Sequence, residues 1–278
     1  MTSGANSTES AIVEENGYLC WVDLSTPDLG AAQSFYGALF GWSFEVLNDE
    51  EVGYAIALKD GAPVAGLVER PEVGLSYWSL YLAASDVAAS VRAGSAAGGR
   101  CLWGPEQIGP LAKVATVADP AGISVGLWEP LKFKGFGASG VGTVGMAELA
   151  TPDRDASADY FKAVFGLQRV GDPQTGFNLL AKDEIVVAVV STADDQLATW
   201  RTYFEVADVE HVLEQAARLG GTIMAASNDV AGAGRFAAAI DPMGAPFGLI
   251  GPTVPEARSA TESADPADNA GFPLQLNL

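Results

Sequence analysis

Residues Trp21–Trp42 read WVDLSTPDLGAAQSFYGALFGW, and residues Met146–Leu167 read MAELATPDRDASADYFKAVFGL. The two stretches register without a gap. Asp23 falls on Glu148, Thr26-Pro27-Asp28 on Thr151-Pro152-Asp153, and Phe40-Gly41 on Phe165-Gly166, all 125 positions apart. A period this long is a duplicated domain, since solenoid units repeat every ~20–50 residues. Three further landmarks recur in the same order. Trp78–Leu82 with Asp86-Val87 answers to Trp200–Phe204 with Asp208-Val209, and Gly98-Gly99 to Gly220-Gly221. Asp119-Pro120-Ala121-Gly122 answers to Asp241-Pro242-Met243-Gly244.

Within each copy the pattern alternates between strand and helix. Trp21, Asp23 and Ser25 share one side of a strand, with Val22 and Leu24 on the other. Asp28 is placed to cap a helix, along which Leu29, Ala32, Phe35, Tyr36, Leu39 and Phe40 recur at helical spacing until Gly41 ends it. Strand-like runs follow at Trp42–Leu47, Tyr54–Lys59 and Pro63–Glu69, with Asp60-Gly61 as a hairpin turn. A second unit has a strand at Tyr77–Ala83, a helix from Asp86 to Ala97, and strands at Arg100–Trp103, Ala112–Ala118 and Ile123–Glu129. The expected fold class is α+β: four βαβββ units forming two open half-barrels. Residues 17–130 make domain 1 and 143–252 domain 2, joined by a glycine-rich linker over 131–142, with polar tails expected to be disordered at 1–16 and 253–278.

Of 278 residues 49% are hydrophobic, ample for two cores. The charge of −20 and the pI near 4.2 repel phosphate backbones and anionic lipid, so neither nucleic acid nor a membrane surface is an expected partner. Cys20 and Cys101 are too few for a disulfide framework and are expected to be buried thiols. The N-terminal residues lack the basic and apolar regions of a signal peptide, and no apolar run reaches the ~20 residues of a membrane span, so the expected location is cytoplasmic.

The strand–Asp–helix pattern with Phe-Tyr and Phe-Gly, then Asp-Val with Gly-Gly, then Asp-Pro-x-Gly, resembles the vicinal oxygen chelate superfamily of glyoxalases, bleomycin-resistance proteins and extradiol dioxygenases. Trp-Val-Asp-Leu-x-Thr-x-Asp and Phe-Tyr-Gly-Ala-Leu-Phe-Gly-Trp look like its two-domain actinobacterial members, loosely labelled hydroxylases. The resemblance covers residues 18–252 and implies tandem glyoxalase-like domains, each curled around one cleft. In metal-dependent members four side chains on the first, fourth, fifth and eighth strands hold a divalent ion. Carried over by the family's spacing, those positions are Trp21, Gly66, Leu80 and Gly126, then Met146, Val189, Thr202 and Gly248. None is a good ligand for such an ion, which takes imidazole and carboxylate. The sole histidine, His211, falls on the helix that Asp208 opens. The expectation is therefore no metal, and no cofactor.

Strand parity and the family spacing place Trp21, Asp23, Ser25, Trp78, Leu80, Ser124, Gly126 and Trp128 around the first cleft. Met146, Glu148, Trp200, Thr202 and Gly248 surround the second. The tryptophans, with Ser25, Leu80, Ser124 and Thr202, read either as walls of a pocket for an aromatic or polycyclic small molecule or as core. Asp23 and Glu148 read either as single acid–base groups in separate clefts or as ties to nearby backbone. Arg235 is a candidate anion holder or a surface arginine among acidic neighbours, and Trp103-Gly104-Pro105-Glu106 a lid or a plain turn before the seventh strand. The leading expectation is a metal-independent isomerase, cyclase or lyase of specialised metabolism, acting chiefly through the first domain. The alternative is a non-catalytic protein sequestering a drug or metabolite, as in antibiotic resistance. An interaction platform is a third reading, and a homodimer is left open.

Overall fold

The computed structural model describes residues 16–49, 52–171, 178–194, 197–230 and 233–253. The tails expected at either end otherwise lie outside the described residues. The first half contains β1 (Leu19–Thr26), α1 (Leu29–Phe40), β2 (Ser43–Asp49), β3 (Val52–Lys59) and β4 (Ala62–Glu69). It continues with β5 (Tyr77–Ala83), α2 (Val87–Ala96), β6 (Arg100–Ile108), β7 (Ala112–Ala118) and β8 (Ser124–Pro130). The second half repeats the order with β9 (Val144–Thr151), α3 (Arg154–Phe165), β10 (Gln168–Val170), β11 (Asn178–Lys182) and β12 (Ile185–Thr192). It closes with β13 (Thr199–Glu205), α4 (Val209–Arg218), β14 (Thr222–Val230), β15 (Gly234–Ile240) and β16 (Pro246–Gly251). This is an α+β fold of four βαβββ units.

Local chemistry fixes the units. Asp28, Asp86, Asp153 and Asp208 each stand in extended backbone before a helix, and each side chain accepts from the amide three residues on, at 2.8 to 2.9 Å. One otherwise unpaired first-turn donor is satisfied each time. Gly41 and Gly166 end α1 and α3 in the left-handed conformation. Asp60 and Gly61 both have positive φ, as a two-residue hairpin turn requires.

The strands form two eight-stranded mixed sheets, ordered β2-β3-β4-β1-β5-β8-β7-β6 and β10-β11-β12-β9-β13-β16-β15-β14. β1 runs parallel to β4 and antiparallel to β5, and β5 runs parallel to β8. Each sheet curls into an open half-barrel, with a concave face and a convex face covered by helices. The convex faces and helices of both halves merge into one core. Phe40 meets Phe204 at 4.8 Å between ring centroids, and Tyr36 meets Phe247 at 5.9 Å.

Polar ties cross between the halves. The Tyr36 hydroxyl on α1 donates to Asp241 of the second half at 3.0 Å, and Ser157 on α3 donates to Asp119 of the first at 2.6 Å. Both aspartates open the Asp-Pro turns, where they also accept backbone amides: Asp119 from Ile123, and Asp241 from Met243 and Ala245. A hydrogen bond to a buried carboxylate is worth about 1.5–3 kcal/mol.

Three expectations are corrected. β6 extends to Ile108, so Trp103-Gly104-Pro105-Glu106 lies inside a strand rather than in a loop, its register shifting at Cys101/Trp103 and Trp103/Glu106. Two extra bulged residues keep the ladder going past the proline. Cys20 is buried, but Cys101 is exposed because this outermost strand pairs on one side only. The glycine-rich segment after β8 is also more than a spacer. Phe136 N–H donates to Cys20 O at 3.0 Å and Gly137 N–H to Pro63 O at 2.7 Å, which press the segment into the first half-barrel. Among the described residues no helix is long and apolar enough to cross a membrane.

Candidate functional site

Directly opposed residues on neighbouring strands present their side chains to the same face of a sheet. Along β1 and β5 the opposed pairs are Trp21 with Tyr81, Asp23 with Ser79, and Ser25 with Tyr77. Tyr81 in turn lies beside Gly126, and Trp128 beside Ala83. The concave face of the first half-barrel therefore carries Trp21, Asp23, Ser25, Tyr77, Ser79, Tyr81, Ser124, Gly126 and Trp128. Trp78 and Leu80 oppose Leu24 and Val22, so they point into the helix-covered core. The expectation that they line the cleft is corrected by one residue of register, which moves every side chain to the other face.

The second half repeats the correction. Arg201 opposes Glu148 and Tyr203 opposes Met146, whereas Trp200 and Thr202 oppose Leu149 and Ala147 on the core side. Trp200 meets Phe161 edge-on at 5.4 Å, and Thr202 is buried. The residues of these two strands that face the clefts are Tyr77, Ser79 and Tyr81 in the first half and Thr199, Arg201 and Tyr203 in the second.

The first half-barrel is filled around its carboxylate. Asp23 Oδ1 accepts from Trp21 Nε1 at 2.9 Å and from the Tyr54 hydroxyl at 2.8 Å, and Tyr81 is a third donor. Burial raises the Asp23 carboxyl above its usual range, against the pull of these donors. A Cβ on Gly66 would stand 2.0 Å from Asp23 Oδ1, and one on Gly126 would stand 2.2 Å from the Tyr81 ring. The glycines thus make room for the protein's own side chains. Phe133, from the segment after β8, packs edge-on against Trp21 at 4.7 Å and meets Trp128 at 5.8 Å, and Phe136 meets Trp21 at 5.6 Å. Trp21, Trp128, Cys20, Ala83, Ala112 and Val114 form a second apolar cluster under these rings. Ser25 is buried and Ser124 exposed at the rim. Trp103 and Tyr77 remain about half exposed, at 48% and 47%.

The second half-barrel holds a cavity of about 250 Å³. Its wall includes Ser191, Leu197, Arg201, Tyr203, Met224, Phe247 and Gly248, with Asp194 also on it. Glu148, 4% exposed, organises the polar side. Its Oε1 accepts from Ser191 Oγ at 2.5 Å, and its Oε2 accepts from the Tyr203 hydroxyl at 2.8 Å. Arg201 Nη1 lies 3.3 Å from Oε2, and Arg201 Nη2 donates to Leu197 O at 3.3 Å. The guanidinium is pinned on two sides against a mainly apolar chamber. Burial and the adjacent Glu148 carboxylate push the Tyr203 phenol well up, so it keeps its proton. Gly248 plays the part of Gly126, since a Cβ there would stand 2.2 Å from the Tyr203 ring.

The donors do not suit the divalent ion of the metal-dependent fold. Corrected for register, the cleft positions on the first, fourth, fifth and eighth strands are Trp21, Gly66, Tyr81 and Gly126, then Met146, Val189, Tyr203 and Gly248. Among the described residues no three His, Cys, Asp or Glu side chains are grouped to hold a metal. His211 sits in the first turn of α4, away from both clefts. Arg235 is engaged by Asp229 and Glu210, its acidic neighbours. The strand reading passed over Arg201, Tyr203, Tyr54 and Ser191. The available signal was a charged residue in mid-strand, which belongs on the open face.

The chain is 32% identical over 244 residues to “Putative glyoxylase CFP32” of Mycobacterium tuberculosis, covering 84% of this chain and 94% of the relative. It is 29% identical over 260 residues to “Anthracycline biosynthesis protein DnrV” of Streptomyces peucetius, covering 84% and 93%. Among solved structures, the Mn(II)-bound glyoxalase from Novosphingobium aromaticivorans superposes with a TM-score of 0.61 at 18% identity, over 85% of this chain and 82% of that one. An extradiol ring-cleaving dioxygenase from B. fuscum superposes with a TM-score of 0.62 at 12% identity, over 85% and 72%. At these identities the structural likeness is one of fold. No family model matches the chain.

Proposed function

Because the chain belongs to the vicinal oxygen chelate superfamily, we propose that it binds an aromatic or polycyclic small molecule of specialised metabolism in its second half-barrel, without a metal ion. The observation that carries this reading is Arg201 on the wall of a largely apolar cavity, fixed by Glu148 and the Leu197 carbonyl. An arginine there offers hydrogen-bond donors to a carbonyl or oxyanion in a low-dielectric chamber, where such contacts are strongest. Leu197, Met224 and Phe247 supply apolar walls for a flat ring. The named role of DnrV in anthracycline biosynthesis supports a polycyclic ligand.

In the enzymatic form of this reading, Arg201 stabilises the oxyanion that develops when a carbonyl enolises. Glu148 holds Arg201 and Tyr203 in place, and it and Asp194 on the cavity wall are the carboxylates available for moving a proton. Isomerisation, cyclisation or elimination needs no more than a positioned donor, a proton acceptor and a shaped chamber. Asp23 fits this role less well, since three donors and a ring of aromatic side chains surround it. The commitment of Glu148 to three donors favours a second reading, in which the ligand is held and released unchanged.

Titration calorimetry of metal-stripped protein with anthraquinone-2-carboxylate tests the site. Arg201→Met should weaken binding by about 10–100-fold, the worth of a lost charge-assisted hydrogen bond. Binding that survives this change but disappears in Trp103→Ala would move the site to the first half-barrel. Binding that requires added metal would overturn the metal-independent reading. Chromatography of released ligand from candidate polyketide mixtures separates turnover from sequestration.

A further inference from the structure

The polar atoms on the cavity wall are unequal in what they can offer. A serine or tyrosine hydroxyl has one proton to donate. The Ser191 proton is committed to Glu148 Oε1 at 2.5 Å, and the Tyr203 proton to Glu148 Oε2 at 2.8 Å. Towards the cavity both oxygens therefore act as acceptors. Asp194, also on the wall, accepts as well. Arg201 can only donate, and two of its nitrogens already face Glu148 and Leu197 O. Among the described lining residues Thr192 alone carries a group that can turn either way. Glu148 has thus sorted the wall into acceptors and one strong donor, held on the two oxygens of a single carboxylate.

A ligand bearing only acceptors would leave Ser191 facing it with no hydrogen to share. A ligand bearing only donors would leave Arg201 unmatched. Each buried mismatch costs about 1–3 kcal/mol. We propose that the ligand presents a hydroxyl group and a carbonyl or anionic oxygen on the same edge, the hydroxyl donating to Ser191 Oγ and the other oxygen accepting from Arg201. This deepens the small-molecule reading given above and rests on it. Ser191 is then a specificity-determining residue: it selects hydroxylated aromatics over their ethers and their unsubstituted parents. Pocket shape cannot separate the hydroxyl compound from its unsubstituted parent, because a hydroxyl adds little volume.

A matched trio of probes tests the proposal: 4-hydroxy-2-naphthoate, 4-methoxy-2-naphthoate and 2-naphthoate. In these compounds the hydroxyl is meta to the carboxylate, too far for an internal hydrogen bond. The intact protein should bind the hydroxy compound about tenfold more tightly than either of the others, the worth of one hydrogen bond. Ser191→Ala should erase that preference, so that the variant binds the hydroxy compound and 2-naphthoate equally, and Ser191→Thr should restore it. Arg201→Met should weaken all three. Equal binding of the trio by the intact protein, with all three still dependent on Arg201, would overturn the role of Ser191 and leave the binding site standing. Failure of all three to bind, or binding indifferent to Arg201→Met, would overturn both. Circular dichroism of each variant ensures that a folded protein is being measured.

Discussion

The two halves solve one buried polar problem differently, which permits a quantitative test. In the first half Trp78 Nε1 donates to the Tyr36 hydroxyl at 3.0 Å, and that hydroxyl donates onward to Asp241 at 3.0 Å. Ser76 donates to Thr26 at 2.9 Å. The corresponding positions in the second half are Trp200, Phe161, Asp119, Ala198 and Thr151, with Ser157 where the first half has Ala32. There Ser157 serves both Asp119, at 2.6 Å, and Thr151, at 2.9 Å. Phe161 meets Trp200 at 5.4 Å, as Tyr36 meets Trp78 at 5.3 Å, but it has no hydroxyl, so Trp200 Nε1 is buried without a partner among the described residues. An unmet buried donor costs about 1–3 kcal/mol. The triple change Ser157→Ala, Phe161→Tyr and Ala198→Ser reproduces the first-half network and supplies the missing acceptor. The two bonds that Ser157 gave up are returned by the new phenol and the new serine, so the net gain is the indole bond, about 1–3 kcal/mol. For a chain of this size that corresponds to a rise in Tm of roughly 2–4 °C per kcal/mol. Urea unfolding and calorimetry measure the gain, and a downfield shift of the Trp200 indole hydrogen resonance reports the new bond. No gain would refute the claim that this donor is unpaired.

Phe133→Ala should cost about 2–3 kcal/mol, since it removes a half-buried ring from Trp21 and Trp128. Ligand affinity should be unchanged within about twofold, and a large loss would return the site to the first half-barrel. Asp23, with its pKa raised by burial, holds its proton more tightly folded than unfolded. Its contribution is therefore complete below the ordinary carboxylate range and lost as pH rises through the raised folded value. Asp23→Asn should lessen the decline of stability between pH 4 and 8 in urea midpoints, and an unchanged slope would contradict the assignment. With Cys101 exposed and Cys20 buried, its thiol pushed up by burial, a thiol reagent should titrate one equivalent in the native protein and two in denaturant. Two fast equivalents in the native protein would mean that the first half-barrel opens readily.

The βαβββ architecture was legible because its signals are local: an aspartate that caps each helix, and glycines where backbone must turn left-handed. The concave face of β1 was legible too, since Trp21, Asp23 and Ser25 differ so plainly from Val22 and Leu24. β5 misled because both of its faces are largely apolar or aromatic, and β13 was placed in step with it. Trp78, Leu80 and Leu82 alternate with Tyr77, Ser79 and Tyr81, and either set could clothe a cleft. Counting back from Asp86 by the family's spacing chose the wrong set; opposing β1 to β5 residue by residue chose the other. The filling of the first half-barrel was beyond reach for a different reason. Phe133 and Phe136 sit among glycines that read as a flexible linker, and what they touch depends on contacts distant in sequence. Arg201 was visible as a mid-strand charge, but only the register with Glu148 gives it a role.

The hydroxyls that reach across the molecule, Tyr36 to Asp241 and Ser157 to Asp119, bear on what counts as a unit here. By ancestry the chain is two copies of one piece, and a boundary drawn between them looks natural. Thermodynamically that boundary runs through a shared interior: cutting there would bare Phe40, Phe204 and Phe247 to water and strip each Asp-Pro turn of its hydroxyl. Neither copy is a freestanding building block. A fragment library cut at the repeat would recover aggregates, whereas a circular permutant that keeps both copies together would recover the protein.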